Sequence, residues 1–168
     1  MNISISSTMA LLVLAICGSG PSVADCLCSP HYGGLTDPGG GADPFVPLTL
    51  DPARAGAGTG NAAVHSNLTG PGRCKILPEC SQTAVDCRFD FTVTVTMTVD
   101  PLFPPSKVQF RDGSKATFNS NGVATSDLIF VDDVDCGDTR HFWLKIRNAA
   151  NQVMGGADIL LICDNCQV

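Results

Sequence analysis

The chain has 168 residues and a formal net charge of −6, from 16 Asp and Glu against 10 Lys and Arg, with nine cysteines. That length suits one domain with a tail. The acidic balance and the absence of any Lys/Arg run argue against nucleic acid or an anionic membrane surface as partner, because both need clustered cations.

The N-terminus reads as a secretory signal over 1–24. "MNISISSTM" is polar, Ala10 to Cys17 is a short apolar run, and "GSGPSVA" ends in small residues, so cleavage is expected after Ala24. The apolar run is too short to span a bilayer. A lipid-attachment signal ending at Cys17 is the rival reading, but Ile16 stands where that motif requires a small residue. The expected location is secreted or extracellular, or the envelope of a bacterial cell.

Removing the signal leaves Cys26, Cys28, Cys74, Cys80, Cys87, Cys136, Cys163 and Cys166. An even set in an exported chain reads as a disulfide framework. "CDNC" at 163–166 and "CLC" at 26–28 have close spacing, but zinc sites show two such pairs at a set separation, and export favours oxidation.

Residues 25–73 are dense in Gly, Pro, Ala and Asp. Only "FVPLTL" looks able to form a strand, at an edge because of its proline. The rest reads as a Gly/Pro-rich arm or linker, too poor in apolar surface to offset its ordering entropy. "NLT" at Asn67 is a glycosylation acceptor if the source is eukaryotic.

From Cys74 the pattern changes. In "CRFDFTVTVTMTV" Phe89, Phe91, Val93, Val95, Met97 and Val99 point one way; Asp90 and Thr92, Thr94, Thr96 and Thr98 point the other. The threonine row is the wet face of a half-buried strand. An ice-matching face would need several such rows, and no repeat supplies them. "SKVQF" and "KATF" flank a turn at "RDGS", and "NSNG" turns into "VATSDLIFV". "HFWLKI" and "VMGGADILLIC" form a last hairpin through "NAAN", with Gly155 and Gly156 marking a bulge or bend.

If Arg147 faces Gln152 in that hairpin, Phe142 faces Ala157 and Cys136 comes opposite Cys163; Cys166 is the second choice after a one-residue slip. The fold expected is an all-β, disulfide-stapled antiparallel β-sandwich over 74–168, of immunoglobulin-like size, behind the N-terminal arm. Trp143 between Cys136 and Cys163 does not meet the cysteine spacing of a true immunoglobulin domain.

His31, His65 and His141 sit in no catalytic or metal motif and are read as solvated. No catalytic pattern is visible, so a non-enzyme is expected, and no cofactor. The acidic stretch Asp132, Asp133, Asp135 and Asp138 reads as one loop: a solvated turn, or ligands for calcium. The leading function is a secreted structural or interaction module whose partner is an extracellular protein or glycan. The alternative is a calcium-dependent ligand- or carbohydrate-binding module. Exposed aromatics for sugar stacking are few, Tyr32 and Trp143 among them.

Overall fold

The computed structural model describes residues 27–66, 74–79, 82–98 and 100–167. The signal segment, Cys26, Asn67 and Cys80 lie outside them, as do the side chains of Cys28, Cys74, Asp133 and Cys166.

The chain is all-β, with two antiparallel sheets in a sandwich. The elements run β1 (Leu27–Gly33), β2 (Phe45–Pro47), β3 (Thr49–Leu50), the one-turn helix α1 (Pro52–Ala55), β4 (Thr59–Ser66), β5 (Cys74–Glu79), β6 (Gln82–Thr98) and β7 (Pro105–Phe110). Then come β8 (Lys115–Thr117), β9 (Val123–Thr125), β10 (Ile129–Asp135), β11 (Thr139–Asn148) and β12 (Val153–Gln167). The first sheet has the order β1-β12-β11-β7-β8, with β3 also on β12. The second has the order β10-β6-β4-β2, with β5 and β9 also on β6.

The alternation of β6 sets the core. Phe89, Phe91, Val93 and Val95 are fully buried and Met97 nearly so. Phe142, Leu144 and Ile146 of β11, and Ile159 and Leu161 of β12, meet them from the other sheet. Phe91 stands edge-on to Phe142 at 5.2 Å and to Tyr32 at 5.5 Å between centroids, a geometry that suits the ring quadrupoles.

The stretch read as an arm is instead part of the sandwich. β1 pairs along β12, and β4 pairs along β6 from Thr59↔Thr98 to Ser66↔Phe91. β4 is poor in apolar residues because only Ala62 and Val64 are fully buried in it. Its backbone pairing comes from the long β6, so its composition did not have to support a strand alone. β2 with Pro47 does lie at the sheet edge, where a missing N–H costs least.

The last hairpin keeps the expected faces but not the expected register. Asn151 adopts a left-handed φ of 64°, and Asn148 N–H donates to Gln152 O at 3.1 Å, so the turn slips the pairing by one. A bulge between Ile146 and Arg147 slips it again: Phe142 faces Ile159, and Leu144 faces Ala157. Two slips restore the inward face. Gly155 and Gly156 lie where backbones crowd: a Cβ on Gly156 would stand 2.2 Å from Leu144 O, and one on Gly155 2.4 Å from Thr49 O.

The register change overturns the expected Cys136–Cys163 bond. Cys163 N–H now donates to Asp138 O. Cys163 faces inward, fully buried, and is bonded to Cys87 of β6, with Cα atoms 5.7 Å apart. Cys136, exposed in the turn after β10, is disulfide-bonded to a cysteine other than Cys163.

Tyr32, the one tyrosine of the chain, packs its ring edge-on against Phe89 and Phe91. Burial pushes its phenol from 10.0 up to about 12; nearby Asp90 adds to the rise, and the neighbouring Ser66 side chain opposes it. A raised pKa means that the unfolded chain ionises first. The stability held in the neutral phenol is therefore complete below pH 10 and is lost as pH rises from 10 through about 12. Tyrosinate absorbance reads this residue alone, so its midpoint in the folded protein is expected near 12, falling to near 10 in denaturant. Equal midpoints would place the ring in water.

Candidate functional site

Two surface regions bring polar chemistry together. The first is a groove along the open edge of the sandwich. β10 closes one side of the second sheet and pairs only with β6. β7 covers β11 only over Leu144 to Asn148, so Thr139 to Trp143 have no β7 partner. Between these strand edges lie adjoining hollows of about 380 and about 270 Å³ that share Arg111 and Arg140.

Both arginines cap strand carbonyls. Arg140 Nη1 donates to Asp132 O at 2.9 Å, reaching from the first sheet to the second, and Arg111 Nη1 donates to His141 O. Guanidinium groups on edge acceptors hinder the addition of a further strand. At the second sheet's margin Phe130 is 49% exposed, with Arg88 4.9 Å above its ring, and Leu128 is 43% exposed. Arg88 also pairs with Asp90 at 3.1 Å and Asp132 at 3.4 Å.

The acidic stretch is not the single loop expected. Asp132 and Asp135 belong to β10, whose pairing with β6 continues to Asp135↔Asp86 through a bulge between Val131 and Val134. Strand geometry separates neighbouring carboxylates onto opposite faces. Among the described residues no three His, Cys, Asp or Glu side chains gather to hold a metal ion. Ser126 explains why "VATSDLIFV" breaks into β9 and β10. Its buried hydroxyl accepts Val93 N–H at 2.9 Å, and its own N–H donates to Val93 O.

The second region is the outer face of the second sheet, which carries the threonine row. β4 does not supply a second row: Thr98, Thr96, Thr94 and Thr92 face Thr59, Asn61, Ala63 and His65. Thr96 and Thr98 are exposed, but Thr92 and Thr94 are half-buried. Their strand is central, with β4 on one side and β9 or β10 on the other.

His65 reaches diagonally to Thr94, Nε2 to Oγ1 3.0 Å, and its Nδ1 lies 2.8 Å from Asp43 Oδ2. Thr94 Oγ1 lies 3.3 Å from Thr125 Oγ1 of β9. The β2–β4 register builds this chain: Phe45 faces Ala63, so Asp43, two residues earlier, comes level with His65. The other histidines also meet aspartates, His31 with Asp164 at 3.6 Å and His141 with Asp158. All three histidine side chains remain open to solvent, as expected, and each also meets an aspartate. The partners lie in β12 for His31 and His141 and in the segment before β2 for His65, and strand register rather than local sequence brings them together.

No helix among the described residues is long and apolar enough to cross a membrane. No family model, no curated protein and no solved structure matches the chain.

Proposed function

We propose that the chain is an exported, disulfide-stapled β-sandwich that serves as a structural or interaction module outside the cytoplasm, with an extracellular protein or glycan as partner. The observation that supports this reading best is the Cys87–Cys163 bond. It lies in the core and joins the two sheets, and Cys136 is oxidised as well. Such cross-links persist in oxidising compartments and are reduced in the cytosol. The short apolar run ending at Cys17 supplies the means of export, with a mature chain beginning at Asp25.

The partner surface we assign is the edge groove. Phe130 offers apolar contact at its margin, and Arg111 and Arg140 offer fixed hydrogen-bond donors. Aromatic and Arg side chains are the residues that most often anchor protein interfaces.

Expression with the native N-terminus in a secreting host is expected to deliver soluble protein to the medium. N-terminal sequencing should then start at Asp25, and no free thiol should be found on Cys87 or Cys163. A reduced protein retained in the cytoplasm, or a chain lipidated at Cys17, would contradict the reading. Phe130→Ala is expected to weaken partner capture from the native secretion at least tenfold without lowering the melting temperature, since that ring is half exposed.

A further inference from the structure

The hydroxyl row contains one member unlike the rest. With Asp43 accepting the proton on Nδ1 of His65, Nε2 holds a lone pair and accepts the hydroxyl hydrogen of Thr94. Carboxylate, imidazole and hydroxyl are then linked in the order that activates a nucleophile: the base touches the hydroxyl, and the acid fixes the tautomer of the base. Three parts of the chain supply them, the segment before β2, then β4 and β6, held by continuous register.

The site is open to solvent as well as organised. The side chains of His65 and Asp43 are 36% and 54% exposed. The residues paired with Thr94 are Ala63 on one side and Thr125 on the other, both small, so an acyl carbon can approach Oγ1. The Thr125 hydroxyl, 3.3 Å from that oxygen, is placed to donate to charge developing beside it.

We propose that Thr94 is a nucleophilic hydroxyl, activated by His65 and Asp43, that accepts the acyl group of a small carboxylic ester. This goes beyond the interaction module and lies apart from the edge groove. Thr94 Oγ1 attacks the carbonyl carbon and its proton passes to Nε2 of His65. The tetrahedral intermediate collapses, breaking the bond to the alcohol oxygen, and the alcohol leaves with the proton from Nε2. Water then attacks the acyl-threonine ester and gives a proton to Nε2. Collapse releases the carboxylic acid, and the proton returns to Thr94. Imidazole serves as base in each attack and as acid in each departure.

The test uses p-nitrophenyl acetate with the full mature protein. The wild type is expected to release nitrophenol and, after acid quench, to carry acetyl on the peptide containing Thr94. Thr94→Val and His65→Ala are expected to lower the rate about 10²-fold, the smaller end of what a positioned base contributes. Thr94→Ser should retain activity. Asp43→Asn, an exposed change outside the strands, should lower the rate while the melting temperature holds. Equal rates for wild type and Thr94→Val, or acetyl found on other residues and not on Thr94, would overturn the proposal.

Discussion

Replacing Cys87 and Cys163 together by alanine is expected to lower the unfolding free energy by about 4 kcal/mol, the chain-entropy value for a loop of this length. The two cysteines are 76 residues apart, and each is buried within a long strand, β6 in one sheet and β12 in the other. The bond thus ties the two sheets directly to each other. Breaking it lets the unfolded chain explore states in which β6 and β12 are far apart. Total stabilities of single domains run to about 5–15 kcal/mol, so this loss is a large share. Urea unfolding of the double variant against the wild type measures it. A change under about 1 kcal/mol would mean that the bond does not constrain the unfolded state as the chain-entropy model requires.

Phe91→Ala is expected to cost about 3–5 kcal/mol, the range for deleting a buried phenyl group and leaving a cavity. The ring is fully buried and meets Tyr32 of β1 and Phe142 of β11 edge-on, so its loss removes contacts to two strands of the facing sheet at once. By contrast Thr96→Ser, on the exposed face of the same strand, should change stability by less than about 0.5 kcal/mol. Urea midpoints of the two variants provide the comparison. Equal losses would mean that the two faces of β6 are wrongly assigned.

The legible parts of this fold are those that β6 and β11 carry in their own side chains. Strict alternation from Phe89 to Met97, and from Phe142 to Ile146, marks the buried faces without reference to anything distant. The turns at Gly113 and Gly122 were legible for the same reason, since each adopts a positive φ that local residues announce. The N-terminal strands were not. β1 and β4 contain Pro30, Gly60 and two alanines, and they become strands because β12 and β6 offer long unpaired edges. Gly60 itself lies so close to β6 that a Cβ would stand 2.4 Å from Thr96 O.

The disulfide partner of Cys163 was hidden by two one-residue slips in a single hairpin, at Asn151 and opposite Ile146. Each slip alone would turn the strand over, but the two together leave hydrophobic parity untouched, so alternation cannot reveal them. The Asp43–His65–Thr94 chain was invisible for a related reason. Its members lie 22 and 29 positions apart, and only the register of β2, β4 and β6 aligns them.

The pairing of Cys163 is where the fold and the proposed export meet, and a peptide map decides it. Protein recovered from the medium is digested without reductant at low pH, and cross-linked peptides are sequenced by mass spectrometry. The structure requires a peptide joining Cys87 to Cys163, with Cys136 joined elsewhere. A peptide joining Cys136 to Cys163 would restore the unslipped hairpin and contradict the inter-sheet staple.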